Sequence, residues 1–257
     1  MLFRAKMVAA LAAGLIASTS AFAGAIIEID NAASFSYCDD CYVGPVDIGF
    51  DINFFGSKYS QLYVNKNGYI SFNSGYYDYT FGSLSSSVKA VIAPFFGDVS
   101  GKSTVTYGKI TYEGHTAFAA SWINASLTIS PAIRPEPLNS FQALLVDRSD
   151  VGTGDFDFIF NFDSIQWNNN YKWDTSFMGY GANGNYYGYT TNNTLNGNQL
   201  PYKSINSDVA GRYVFEVRNG VVTNPLPLVP EPETYAMLLV GLGVVTGVAR
   251  RRAKITG

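Results

Sequence analysis

The chain has 257 residues, 17 basic and 20 acidic, for a net charge of −3, and its charged share of 14% is below its aromatic share of 15%. A mildly acidic chain is a poor partner for nucleic acid or an anionic membrane surface, both of which select basic patches. Two cysteines and one histidine are too few to fill the four ligand positions of a structural zinc site.

In chain order, Arg4 and Lys6 precede an apolar run over residues 7–17 and the small-x-small sequence Ala21-Phe22-Ala23. A basic start, a short apolar middle and a small-residue close form the layout of a helical secretory signal peptide, with cleavage expected after Ala23. The apolar run falls short of the roughly 20 residues that span a bilayer. Residues 24–44 then carry Cys38 and Cys41, spaced Cys-x-x-Cys with Asp39 and Asp40 between them. A redox-active pair needs a positive environment to lower a thiol pKa, and these acids oppose it. In an exported chain the pair reads as a local disulfide, whose very short loop stabilises the whole fold little.

The middle of the chain is patterned for strands. Asn67-Gly68 between residues 61–66 and 69–72 predicts a hairpin with a type I′ turn. Residues 91–96 are continuously apolar, and Pro94 confines them to a sheet edge or a bulge. A second hairpin turns at Glu113-Gly114-His115. His115, the single histidine, reads as a solvated turn residue, since no nucleophile elbow or oriented partner accompanies it. In a third hairpin, residues 141–146 are followed by Phe156, Phe158, Phe160 and Phe162 on one face, with Asp157, Ile159 and Asn161 on the other.

The loop and strand around that third turn hold Asp147, Asp150, Asp155 and Asp157. They offer calcium a set of oxygens without EF-hand spacing, but turn initiation and solvent exposure explain them equally well, and no metal is expected. Nor does the sequence pair two carboxylates as glycoside hydrolysis requires. No phosphate-cradling glycine loop precedes a helix pattern. The chain reads as non-catalytic and without cofactor.

From residue 168 to 198, Gly, Asn and aromatic residues dominate around a strand expected at 177–182. Tyr171, Trp173, Tyr186, Tyr187 and Tyr189 are read here as a ligand surface on loops, flat polar-tipped rings suited to a sugar or protein. Trp167 reads as structural. Tyr213, Phe215 and Val217 then alternate with Val214, Glu216 and Arg218 as a last strand, and residues 221–229 as a linker. Strands with turn signals between them predict an all-β, antiparallel two-sheet β-sandwich, flanked by the helical signal peptide and a short C-terminal hydrophobic helix.

The ordered series Gly49-Phe50-Asp51-Ile52-Asn53-Phe54-Phe55-Gly56, Tyr63-Val64-Asn65-Lys66-Asn67-Gly68, Ala93-Pro94-Phe95-Phe96-Gly97-Asp98, Asn139-Ser140-Phe141, Gly154-Asp155-Phe156, Ile165-Gln166-Trp167 and Gly211-Arg212-Tyr213 resembles the nidogen-like extracellular (NIDO) domain. The resemblance places that domain at residues 45–220. It implies an extracellular role in cell–matrix adhesion, with an extracellular polysaccharide or matrix protein as partner and no catalytic residue to carry over.

At the far end, Pro230-Glu231-Pro232 precedes an uncharged stretch, residues 234–249, and then Arg250-Arg251-Arg252. At about 1.5 Å per residue that stretch reaches roughly 24 Å, short of a ~30 Å hydrocarbon core, and the arginines would stay cytoplasmic. Residues 230–257 resemble a PEP-CTERM sorting signal. This implies transient insertion in the inner membrane of a Gram-negative bacterium, removal of the tail by an exosortase-type membrane protease, and delivery to the outer surface or extracellular matrix. Between the two terminal signals 11 basic residues face 18 acidic ones, a net charge of −7.

Overall fold

A computed structural model describes residues 24–80, 89–128, 135–168, 176–190 and 197–229. Its strands are β1 (Ala33–Phe35), β2 (Tyr42–Phe54), β3 (Ser57–Asn65), β4 (Tyr69–Ser71), β5 (Val91–Phe96), β6 (Val105–Tyr112) and β7 (His115–Ser126). They continue with β8 (Leu138–Asp147), β9 (Phe156–Ser164), β10 (Phe177–Ala182), β11 (Asn185–Thr190), β12 (Arg212–Arg218), β13 (Val221–Val222) and β14 (Leu228–Val229). A 3₁₀ turn at Gly197–Tyr202 is the one helical element among the described residues.

The strands form two antiparallel seven-stranded sheets, ordered β1-β6-β7-β8-β9-β12-β13 and β14-β11-β10-β5-β4-β3-β2. Period-two patterning sends one face of each inward. Phe54 lies 6.1 Å from Phe156, Phe95 5.5 Å from Phe141, and Tyr180 5.0 Å from Phe158, each pair joining the two sheets. The sandwich layout therefore holds. Its edges are blunted against pairing with other chains. β1, β13 and β14 are two or three residues long, and β2 is broken by register shifts around Pro45.

Several local expectations change in the fold. The type I′ turn belongs to Glu113-Gly114, whose φ angles are 49° and 85°, so His115 opens β7 instead of sitting in the turn. At the other hairpin only Gly68 has positive φ, and the loop spans three residues between Asn65 and Tyr69. A Cβ on Gly68 would stand 1.9 Å from the Phe95 carbonyl, so the position requires glycine. β5 is central, between β4 and β10, and its Pro94 is absorbed by a register shift in the pairing with β10. The bulge alternative holds and the edge alternative does not. The third hairpin forms as β8 and β9, with Phe156, Phe158, Phe160 and Phe162 all in the core.

The outward face of β9 is not solvated as its polar residues suggest. Residues 24–29 lie as a strap across the outside of the β1-containing sheet before the chain enters β1. The Ile27 amide donates to Gln142 Oε1 at 3.1 Å, and Gln142 Nε2 donates back to the Ile27 carbonyl at 2.6 Å. Arg212 donates to the Ala25 carbonyl at 3.1 Å. Ile27 and Ile29 cover a second apolar cluster of Ala117, Ala119, Leu144, Val146 and Ile159. This burial is what holds a strap that has no strand pairing of its own.

The signal-peptide segment with Ala21 and Ala23, the tail with Pro230, Glu231, Pro232, Arg250, Arg251 and Arg252, and the residues Tyr171 and Trp173 all lie outside the described residues. Among the described residues no helix is long and apolar enough to cross a membrane.

Candidate functional site

Of the expected aromatic surface, the three residues within the described fold pack on its core. Tyr186, Tyr187 and Tyr189 stand on strand β11, not on loops, and period two divides them between its faces. Tyr186 is 1% exposed and packs with Tyr69, Phe96 and Phe177 on the outer side of the sheet. Tyr187 faces the sandwich interior, its ring stacked on Tyr180 at 5.6 Å and on Phe55 at 6.1 Å, and Tyr189 packs against the same core. Tyr186 is closed off, and Tyr187 and Tyr189 are half-buried with their rings packed on the core. Trp167 is structural as read, buried with its Nε1 donating to the Ala125 carbonyl at 2.8 Å.

The acidic loop is likewise occupied by protein donors. Asp157 is held by Arg148 at 2.8 Å and Arg218 at 2.7 Å. Asp155 accepts from the Asn219 amide and Asp147 from the Ser149 amide, at 2.8 and 2.9 Å. Arg148 reaches Asp150 at 3.2 Å, which holds that carboxyl below its ordinary range. The acids of this turn thus have protein partners already in place. Arginines meet its negative charge. Among the described residues the converging acids are instead Asp39, Asp40 and Asp98, whose carboxylate oxygens lie within 4.8 Å of one another. Asp40 accepts from Asn67 at 2.8 Å, and Asp98 from the Thr128 hydroxyl at 2.6 Å. Burial is the largest influence on Asp40 and raises its pKa.

Those acids flank a hub that sequence reading missed. The Cys38–Cys41 disulfide is formed, and Cys41 accepts from the Lys66 amide at 2.8 Å. Lys66 is buried; its ammonium donates to the carbonyls of Ser103 and Gly101 and stands 5.8 Å over the Phe35 ring. Desolvation lowers its pKa to about 8, with Asp39 opposing that shift. Asn67 is fully buried too, its Oδ1 accepting from the Val99 amide at 2.9 Å. The signal in the sequence was the run Asn65-Lys66-Asn67, three polar residues at a turn that the packing closes over.

An open cleft of about 550 Å³ lies on the outside of the strap-covered sheet, beside the strap. Its floor includes Val146, Ile159 and Val214 from three adjacent strands. Tyr112 and Arg212 wall one end, where the guanidinium lies 5.7 Å over the Tyr112 ring and donates to its hydroxyl at 3.3 Å. Arg212 also donates to Asn161 at 3.1 Å, so three neutral oxygens orient it. The loop carrying Asn206 and Asp208 also lines the cleft, as does Glu216. Glu113 of the hairpin turn and His115 at the start of β7 line it as well. The volume falls in the range of small-ligand sites, and its apolar floor under a donor–acceptor rim suits a polyhydroxylated molecule.

With that geometry in place, comparison with known proteins defines the class. A family model described as NIDO related matches residues 16–214, a span that includes the strap, and the chain belongs to this NIDO-related family. A PEP-CTERM protein-sorting motif matches residues 228–253. Alpha-tectorin of Gallus gallus is 28% identical over 151 residues, and that of Mus musculus 29% over 152 residues. Each match covers 50% of this chain but 7% of the tectorin, so the chain spans a small part of the curated relatives it matches. No solved structure matches. An extracellular-type domain joined to a sorting motif indicates an exported protein.

Proposed function

We propose that this chain is a non-catalytic protein of the outer surface or extracellular matrix, engaged in cell–matrix adhesion and matured at both ends. The observation that carries the reading is the succession, in one chain, of a NIDO-related match over residues 16–214 and a PEP-CTERM motif over residues 228–253. In this reading the leader is removed after Ala23. The segment from residue 234 holds the chain briefly in the inner membrane of a Gram-negative cell, and an exosortase-type protease removes the tail near Pro230-Glu231-Pro232. Mass spectrometry of exported protein tests it. The expected product starts at Gly24 and lacks everything beyond the Pro-Glu-Pro site. A stably membrane-bound chain that keeps Arg250, Arg251 and Arg252 would overturn it.

A second reading, recognition of an extracellular polysaccharide, is favoured by the cleft beside the strap. The site differs from the aromatic loops expected from sequence. Asp208 and Glu216 line the cleft, and Glu216 also stands 4.0 Å from the Arg218 guanidinium at the margin of the Arg148–Asp157–Arg218 cluster. Titration against neutral, N-acetylated and uronic-acid oligosaccharides should give binding that Asp208→Asn weakens while the thermal midpoint stays put. Binding that survives both Asp208→Asn and Glu216→Gln would place the ligand elsewhere.

A further inference from the structure

The place where the strap begins coincides with the expected cleavage point, and the two meet a carboxylate. Gly24 lies against Asp163 at the end of β9: a Cβ built on Gly24 would stand 3.2 Å from Asp163 Oδ1. The amino nitrogen shares the same Cα, so it lies within reach of that side chain by rotation alone. The next residue is fixed. Ala25 is 2% exposed, and a Cβ on Gly211 would come within 3.3 Å of its methyl group. Its carbonyl is held by Arg212, and two residues later Ile27 is bonded through both its amide and its carbonyl to Gln142. Gly24 is therefore tethered by buried neighbours at a small hollow it shares with Phe162, Asp163, Pro201 and Tyr202.

We propose that this hollow is the seat of the mature amino terminus, with Asp163 as its counter-ion. The inference rests on the processing reading above. Hydrolysis of the Ala23–Gly24 bond by water leaves a carboxylate on Ala23, which departs with the leader, and an ammonium on Gly24. In the precursor the same nitrogen is a neutral amide, so the ion pair exists only after cleavage. The charges facing the new ammonium are the Asp163 carboxylate and, one residue along, the Arg212 guanidinium. Arg212 is already oriented by Asn161, Tyr112 and Ala25, which leaves Asp163 as the group free to turn toward Gly24. Leader removal thus fastens the outer end of the strap, and the free edge of the second apolar cluster with it.

The test is a cycle on the exported, matured protein, read by hydrogen exchange at the Ala25 and Ile27 amides. Inserting one alanine between Ala23 and Gly24 moves the ammonium out by about 3.8 Å without touching the strap. In the parent this should quicken exchange about two- to fivefold, the scale of one exposed ion pair. Asp163→Asn should quicken it as much, and the insertion should then add nothing. Equal effects of the insertion in the parent and in the Asp163→Asn variant, or none in either, would overturn the seat. Mass spectrometry of the same protein reports its first residue separately. A start other than Gly24 overturns the processing reading and the seat with it, whereas a Gly24 start without coupling overturns the seat alone.

Discussion

The Trp122 indole on β7 donates to the carbonyls of both Asn65 and Lys66, at 3.1 and 3.0 Å, and so ties one sheet to the turn that closes β3 and β4 in the other. Trp122 is fully buried, so neither carbonyl finds water if the donor is lost.

Trp122→Phe should therefore destabilise the domain by about 1–3 kcal/mol, the cost of stranding buried acceptors together with a slightly smaller ring. Urea denaturation of the exported protein measures it. An unchanged midpoint would mean that the turn is held by the Lys66 and Asn67 contacts alone.

Lys66 gives a pH dependence with a definite sign. Burial lowers its pKa in the folded protein to about 8, below the ordinary value of 10.5. Between those values the unfolded chain binds a proton that the folded one has released, so stability rises with pH across that window. Above about 10 the trend reverses, because burial keeps Tyr180 and Tyr213 protonated in the fold while the unfolded phenols ionise. The thermal midpoint should rise from pH 8 to about 10, and Lys66→Met should flatten the rise while lowering stability at every pH. A midpoint that falls steadily above pH 8 in the parent would contradict the assignment.

The Cys38–Cys41 disulfide closes a sequence separation of three residues. The chain-entropy model gives about 2 kcal/mol for so short a loop. Thiol titration of native exported protein should find no reactive group, and the doubly substituted Cys38→Ser, Cys41→Ser chain should still fold. Loss of folding in that variant would show that the disulfide organises the Lys66 hub as a whole.

Tyr187→Ala should act on stability, not on recognition. Its ring lies between Phe55 and Tyr180, so truncation should cost about 3 kcal/mol, as for other aromatic residues packed in cores. Weakened retention in matrix with an unchanged midpoint would restore this ring to the surface.

How far the sequence was readable follows the range of the forces involved. The phenylalanine alternation in β9 is local, and it marked the inner face correctly because period two is a property of the strand itself. What covers its outer face was not legible there, since Ile159 packs under a strap more than a hundred residues away and Asn161 bonds Gln142 and Arg212. β11 was mistaken for loop because Gly184, Gly188 and the neighbouring Asn residues read as turn signals. In the fold Gly188 instead permits close approach: a Cβ there would stand 2.1 Å from the Met178 carbonyl of β10. The cleft was invisible for a similar reason. Its lining comes from five strands, from the turns after β6 and β8 and from the loop before β12, and no single stretch carries its pattern.

The strap also sets an order of events. Ala25 is bonded to Arg212 and Ile27 to Gln142. If the chain is exported from its amino end, the strap comes first, Gln142 follows 115 positions after Ile27, and Arg212 comes 187 positions after Ala25. Contacts of such separation form late, after the intervening loop entropy has been overcome. Until β9 is complete the apolar patch over β7, β8 and β9 is not assembled, and until β12 emerges the strap that covers it lacks the Arg212 bond to Ala25. The first segment made is thus among the last to be fully fastened, and a ribosome or translocon that stalls before residue 212 leaves the strap's outer end without its guanidinium clasp.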